Sequence, residues 1–241
     1  MERILLMVFK LIYKVPEWWF KICRYGKDDN FEKYSEEKRY ALMQELTTRV
    51  NRAGKVDVKC YGLENLPKDN GYIMFPNHQG MFDTLLFFET HGRFFSVVLK
   101  KEVANVILVK QIVRLIHAKV MDRSDVRQSM KVIKEVAEEV KKGRNYIIFP
   151  EGTRSRQGNK LVTFKAGAFK SAVYAKCPIV PVAIIDSYKA FDSHSIKEMS
   201  AQIHYLEPLP YEMYKDMRTS EIAALVKEKI EERIREYAPI D

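Results

Sequence analysis

The amino-acid sequence predicts an α/β fold: a single domain with a mixed, largely parallel sheet flanked by helices, preceded by an amphipathic N-terminal helical segment. Three observations predict it. Short apolar or alternating runs of strand length recur between residues 56 and 206. Segments with apolar residues at helical spacing stand between them, and strands interleaved with helices are the pattern of a largely parallel sheet. At 241 residues the chain is long enough for one sizeable core and an appendage. The division falls after residue 52: residues 1–52 form a helical membrane-contact segment, and residues 53–241 form the α/β domain.

Residues 1–25 are the most biased segment. Ile4, Val8, Leu11, Val15, Trp19 and Ile22 recur at helical spacing, and Arg3, Lys10, Lys14, Glu17, Lys21 and Arg24 recur at the same period on another face. Such a segment is an amphipathic helix, in one piece or in two that meet at Pro16. A mostly basic polar face, with Trp18, Trp19 and Phe20 beside it, suits an anionic headgroup boundary; packing on the chain's own domain is the alternative. Ser35 to Val50 reads as a second helix with Tyr40, Met43, Leu46 and Val50 on one face.

Val56 to Tyr61 alternates as a half-buried strand does, and Gly71 to Phe75 reads as a buried strand. Thr84 to His91 is a short helix, Phe94 to Leu99 a strand, Lys101 to Ile116 a helix rich in β-branched residues, and Lys119 to Met121 a short strand. Ser124 is placed to cap a helix whose Val126, Met130, Ile133, Ala137 and Val140 face the core and whose end is Gly143. Tyr146 to Phe149 is a strand, Pro150 to Lys165 a polar loop, and Ala166 to Ala175 a helix. Cys177 to Asp186 is an apolar strand despite Pro178 and Pro181, and Gln202 to Leu206 is another. Thr219 to Tyr237 closes the chain as a helix with Ile222, Val226, Ile230 and Ile234 on one stripe.

Composition narrows the function classes. Lys and Arg outnumber Asp and Glu by 41 to 32, a formal charge of +9, which favours acidic partners: nucleic acid, an anionic membrane surface or phosphorylated small molecules. Cys23, Cys60 and Cys177 are far apart and form no C-x-x-C pair, so a disulfide framework or a zinc site is not expected and a reducing setting fits. No uncharged apolar run approaches the ~20 residues needed to cross a bilayer, and Lys10 and Lys14 interrupt what would be the apolar part of a signal peptide.

Two stretches carry chemistry. The first is Pro76-Asn77-His78-Gln79-Gly80-Met81-Phe82-Asp83, where a strand gives way to a helix. A neutral imidazole can take a proton near neutral pH, and a carboxylate on its other nitrogen fixes the tautomer and stabilises the imidazolium. Gly80 eases the turn that brings Asp83 back onto the ring. The competing reading makes His78 a loop residue and Asp83 a helix N-cap. The second stretch is Phe149-Pro150-Glu151-Gly152-Thr153-Arg154-Ser155-Arg156, a loop at the carboxyl end of a strand, where open α/β sheets place ligands. Gly152 allows close backbone approach, Thr153 and Ser155 offer hydroxyls, and Arg154 offers the planar fork that suits a phosphate. Arg156 and Lys165 add positive charge. An exposed basic surface loop is the alternative.

Taken in order, Asn77-His78-x-x-x-x-Asp83, then Phe149-Pro150-Glu151-Gly152-Thr153-Arg154-Ser155, then Val180-Pro181-Val182-Ala183-Ile184 resemble the glycerolipid acyltransferase family, and most closely its 1-acyl-sn-glycerol-3-phosphate acyltransferases. The resemblance covers about residues 55–186 and includes Lys100-Lys101-Glu102 and Asp122-Arg123. It implies transfer of a fatty acyl group from an acyl-CoA or acyl carrier protein thioester to the sn-2 hydroxyl of lysophosphatidic acid, giving phosphatidate, without a cofactor or a covalent enzyme intermediate. It implies His78 as general base, Asp83 as its partner, and Glu151, Gly152, Thr153 and Arg154 as a glycerophosphate pocket, with Arg123 and Lys100 assisting. It also implies a peripheral or monotopic place on the cytoplasmic face of the membrane. Lys110 and His117 stand where the family's middle motif carries glycines, and Gly80 where many members have serine, which bears on acceptor preference.

The alternatives are an acyltransferase acting on glycerol-3-phosphate or another lysophospholipid, and a catalytically silent lipid-binding protein on the same scaffold. His91, His117, His194 and His204 lack the spacing of a metal hydrolase. Gly152 and Gly158-Asn159-Lys160 do not fit a P-loop, no G-x-S-x-G elbow is present, and no nucleic-acid-binding motif accompanies the charge.

Overall fold

A computed structural model describes residues 2–29 and 31–238; the ends of the two assigned regions, Met1 and residues 239–241, lie outside the described residues. Seven strands, β1 (Val56–Tyr61), β2 (Ile73–Pro76), β3 (Phe95–Lys100), β4 (Lys119–Met121), β5 (Asn145–Ile147), β6 (Ile179–Ile185) and β7 (Met199–Tyr205), form one sheet in the order β1-β7-β6-β2-β5-β3-β4. Strands β6, β2, β5, β3 and β4 are mutually parallel. Among these strands only the β6–β7 pairing is antiparallel, and β1 runs parallel to β7. The carboxyl ends of five adjacent strands therefore share one edge.

The sheet is covered on both faces, as parallel sheets generally are. Alternation along the strands sorts residues to the two sides. Met74, Val180, Val182 and Ile184 join one core, while Ile73, Phe75, Ile179, Ala183 and Ile185 join the other. The first is covered by α1 (Glu2–Leu11), α2 (Val15–Tyr25), α3 (Glu36–Ala53) and α4 (Asp83–Thr90). The second is covered by α7 (Val126–Lys141), α8 (Lys170–Ala175) and α11 (Thr219–Tyr237). Helices α5 (Lys101–Ala104), α6 (Ile107–Leu115), α9 (Lys189–Asp192) and α10 (Tyr211–Tyr214) complete the chain. Pro181 is tolerated inside β6 because its carbonyl accepts from Leu206 N. Its nitrogen faces the same side, where β7 has already ended at Tyr205.

Several expectations hold to the residue. Strands β1 and β4 and helix α11 have the expected bounds, and Ile222, Val226, Ile230 and Ile234 are buried; the helix expected from Ser35 to Val50 runs from Glu36 to Ala53, with Ser35 as its cap through Lys38 N. Others need correction. The segment 101–116 is two helices, because Val106 adopts an extended backbone between them. The cap of α7 is Asp125, not Ser124: the Asp125 carboxylate accepts from Arg127 N and Gln128 N, while the Ser124 hydroxyl donates to Asp122. The buried stripe of α7 is Val132, Val136, Ala137 and Val140, and Val126 is exposed. A Val one position off the core-facing row satisfies the same period, so periodicity alone left the phase open.

The amino-terminal segment forms two helices, with Pro16 in the first turn of the second. Their orientation differs from the expected one. Arg3, assigned to the basic outer face, is buried and donates to the carbonyls of Gly54, Ser195 and Lys197. Lys10 reaches Ala53 O, and Lys14 and Lys21 close on Glu17. Met7, Leu11, Trp18 and Ile22 pack into the same core as the sheet. Beside the exposed Glu2, Lys10, Glu17 and Arg24, the outer surface carries many apolar side chains: Leu5, Val8, Phe9, Ile12, Tyr13, Trp19 and Phe20, with Phe9 80% exposed.

Candidate active site

Strand β2 ends at Pro76, and the next residue anchors the turn. The Asn77 side chain donates to Ile184 O at 2.9 Å and accepts from Ile184 N at 2.7 Å, so a side chain continues the sheet pairing with β6 where the backbone leaves it. Phe82, fully buried, packs edge-on against Phe191. Between these anchors the chain turns back on itself. Asp83 opens α4, but its carboxylate does not cap the helix. It accepts from His78 Nδ1 at 2.7 Å, from Gln79 N at 2.7 Å and from Gly80 N at 3.1 Å. The carboxylate thus faces the His78 ring and its own turn rather than the amide groups of α4. Gly80 is close-fitted here, since a Cβ would sit 3.4 Å from Tyr188 Cα.

The second stretch clasps the first. His78 N donates to Glu151 Oε1 at 2.7 Å, and His78 O accepts from Ser155 N at 2.9 Å. The imidazole lies against the Phe149 ring, centroids 4.3 Å apart. Backbone and ring are both held, and the side chain is 23% exposed. With Nδ1 donating to a carboxylate, Nε2 is the acceptor nitrogen, and no described residue bonds it. A fixed ring nitrogen left free to accept a proton is what a general base requires.

Of the residues assigned to the phosphate pocket, Glu151 is turned inward. It is 1% exposed, and its second oxygen accepts from Val162 N at 3.2 Å. Burial pushes its carboxyl up to about 7, with the two backbone N–H groups pulling the other way. Its geometry is that of a clamp between the two loops. Gly152 has φ +72, a backbone conformation that favours a residue without a side chain, and the end of the Lys165 side chain lies beside it. Thr153 is exposed and Arg154 half-buried, and neither has a hydrogen bond or ion pair among the described residues. Ser155, offered as a hydroxyl donor, is buried: its N–H donates to His78 O, and its hydroxyl is turned to its own loop, donating to Gly158 O and accepting from Gln157 N.

Lys100 ends β3 and pairs with Glu102 at 2.9 Å. Arg123 follows β4 and is exposed without an ion-pair partner among the described residues. Strand order explains why these distant residues share one region. His78, the 150–165 loop, Lys100 and Arg123 follow β2, β5, β3 and β4, adjacent parallel strands whose carboxyl ends form one edge. That edge has a proton acceptor near its centre and, on the loop after β5, Arg154 and Arg156 without an ion-pair partner among the described residues. Gln79, Asn159 and Ser187, to which the sequence assigned no role, extend this network: the Ser187 hydroxyl donates to Asp83 Oδ1, Ser187 N donates to Gln79 Oε1, and Gln79 Nε2 donates to Asn159 Oδ1. Only Gln79 lies inside a recognisable stretch, and its spacing says nothing of the bonds it makes.

Comparison with known proteins fits this geometry. Residues 57–185 match the family model described as Acyltransferase. The chain is 31% identical over 194 residues to the 1-acyl-sn-glycerol-3-phosphate acyltransferase of Saccharomyces cerevisiae, covering 76% of this chain and 62% of that protein. It is 26% identical to the Escherichia coli K12 protein of the same name, covering 96% and 94%. The chain spans less than two thirds of the yeast relative, and only 40% of a chloroplastic relative from Brassica napus. The crystal structure of the 1-acyl-sn-glycerophosphate acyltransferase PlsC from Thermotoga maritima shares the fold, with a TM-score of 0.79 over 99% of this chain and 98% of that one at 20% identity. On the match of its central 57–185 segment, the chain belongs to the acyltransferase family.

Proposed function

We propose that this protein transfers a fatty acyl group from a thioester, acyl-CoA or acyl carrier protein, to the sn-2 hydroxyl of 1-acyl-sn-glycerol-3-phosphate, giving phosphatidate. The observation that carries this reading is the His78–Asp83 pair, with its free Nε2, on the same strand edge as unpaired Arg154 and Arg123. The names of the yeast and Escherichia coli relatives support the acceptor. In the reaction the hydroxyl proton passes to His78 Nε2 as the hydroxyl oxygen bonds to the thioester carbon. The C–S bond then breaks, and the imidazolium returns the proton to the departing sulfur. Asp83 stabilises the transient positive charge. Gly152, Thr153 and Arg154, with Arg123 and Lys100, bind the acceptor phosphate, and Glu151 forms the inner wall of that pocket. The thioester is already activated, so no cofactor is required.

The exposed apolar face of α1 and α2 supports contact with a membrane surface. Val106, Ile107 and Leu108, at the start of α6, extend the apolar exposure on a helix that packs against α2. Exposed apolar residues in such number mark an interaction surface. Among the described residues no helix is long and apolar enough to cross a membrane, and we place the protein peripherally on the cytoplasmic face, where its free cysteines would stay reduced.

The test crosses both donors with two acceptors, glycerol-3-phosphate and 1-acyl-sn-glycerol-3-phosphate. Acylation of the second with either donor is expected. Acylation of glycerol-3-phosphate alone would replace this reading with the related acyltransferase activity.

A further inference from the structure

The donors to Asp83 come from two sources. His78 Nδ1, Gln79 N and Gly80 N belong to its own turn. The fourth donor is the Ser187 hydroxyl, which bonds Asp83 Oδ1 from the turn after β6. We propose that Ser187 is a positioning residue for the acyl transfer: its hydroxyl fixes the rotation of the Asp83 carboxylate and so the direction in which His78 presents Nε2. The proposal rests on the reading of His78 as the base.

Oδ2 serves His78 and Gln79 N, and Oδ1 is left with Gly80 N, shared between both oxygens at 3.1 Å, and Ser187. Without the hydroxyl, Oδ1 keeps only its share of Gly80 N, so the carboxylate loses the one donor that holds it from outside its own turn and its rotation is less sharply set. Ser187 has one hydroxyl proton and two acceptors within reach, Asp83 Oδ1 and Gln79 Oε1. The charged carboxylate is the stronger acceptor, and Gln79 Oε1 already receives Ser187 N at 3.0 Å. The proton therefore belongs to Asp83.

The surroundings aim this hydroxyl. Asp186 stands in the left-handed region at φ +62, a conformation that needs support in a residue other than glycine. Asn159 supplies it, accepting from Asp186 N at 2.9 Å and donating to Asp186 Oδ1 at 3.0 Å, and Lys189 pairs with Asp186 at 2.9 Å. Gln79 Nε2 donates to Asn159 Oδ1 at 2.7 Å, which joins the catalytic turn, the 150–165 loop and the turn after β6 into one network. Ser187 is fully buried. It touches no solvent, and its side chain meets only Asp83 and Gln79 among the hydrogen-bonding groups of the described residues.

The experiment uses the full chain carrying Ser187→Ala, Ser187→Thr, Asp83→Asn and the Ser187→Ala/Asp83→Asn double variant. Ser187→Ala should lower kcat for acylation of 1-acyl-sn-glycerol-3-phosphate by roughly 10- to 100-fold, as misplacement of a reacting group does, with the acceptor KM unchanged. Ser187→Thr keeps the hydroxyl and should recover most of the loss. In the Asp83→Asn background the alanine change should cost nothing further, a result that does not depend on threonine fitting the buried site. The downfield proton resonance of the His78 Nδ1–H bond should move or broaden in Ser187→Ala protein with an intact fold. This last readout needs no substrate, so it tests the positioning even if the acceptor is misassigned. Unchanged kcat with an unchanged resonance would overturn the proposal, as would an equal further loss in the Asp83→Asn background.

Discussion

The turn from Asn77 to Asp83 and the stretch from Gly152 to Arg156 lie on the same strand edge, yet they are built in opposite ways. In the first, Asn77, Gln79 and Asp83 are buried and every polar side-chain atom of the three has a partner. In the second, Thr153, Arg154 and Arg156 have none among the described residues. A proton transfer is sensitive to fractions of an ångström, so the base and its partner are cross-bonded before substrate arrives. A phosphate needs donors that are still free, so the guanidinium is left unneutralised. On the proposed function, the difference would separate residues that set turnover from those that set acceptor binding.

The sharpest break in that comparison is His78→Ala. Turnover should fall by roughly 10²–10⁴, the usual range for loss of a general base, while the melting temperature changes little because the ring is partly exposed. A folded variant with near-normal turnover would end the assignment of the base. Arg154→Ala should act on the other term, raising the acceptor KM by roughly 10- to 100-fold while kcat stays close to the parent value. Arg154→Lys should recover little, since an ammonium cannot bind two phosphate oxygens in the fork geometry. Steady-state kinetics with the donor held saturating will show which constant moves; a rise confined to the donor KM would mean the pocket is misassigned.

A smaller effect tests the outer face of the amino-terminal helices against their inner one. Phe9→Glu with Phe20→Glu replaces exposed side chains and should weaken sedimentation with anionic vesicles by about 10-fold without lowering the melting temperature. Deleting the helices is a poorer test, because Met7, Leu11, Trp18 and Ile22 belong to the main core. Equal sedimentation of parent and variant would move the membrane contact elsewhere.

The smallest expected effects are on stability and have opposite signs in two parts of the molecule. Burial lifts Glu151 to about 7 from 4.5, so across that interval the folded state keeps a proton that the unfolded state has released. Its contribution is complete below about pH 4.5 and is lost as pH rises through 7. Burial lowers His91 to about 4 from 6.5, so the unfolded state takes a proton first and stability is lost as pH falls through that window. Urea midpoints should therefore show Glu151→Gln gaining on the parent between pH 5 and 8, and His91→Phe gaining between pH 7 and 5, each on the order of 1 kcal/mol after the constant loss from altered hydrogen bonds. Midpoints that run parallel to the parent at every pH would refute both.

What the sequence by itself determined is what local periodicity and short-range motifs encode. The bounds of β1, β4 and α11 follow from alternation and from a 3.6-residue stripe, which need no knowledge of neighbours. The His78–Asp83 pair was legible because five residues of turn are enough to close it. Tertiary structure alone decided three things. It set the phase of the helices: Val126 and Arg3 each fit a period, but only the surface they meet decides whether they are exposed or buried. It set the direction of β7, since its residues read alike in a parallel or an antiparallel pairing. It also decided the environment of Asp83. Ser187 and Asn159 lie 104 residues and 76 residues further along the chain, and they reach the catalytic turn only because β6 lies beside β2 and the loop after β5 folds over both. Hydrogen bonds of that reach follow from strand order, a property of the whole sheet that no window of the sequence contains.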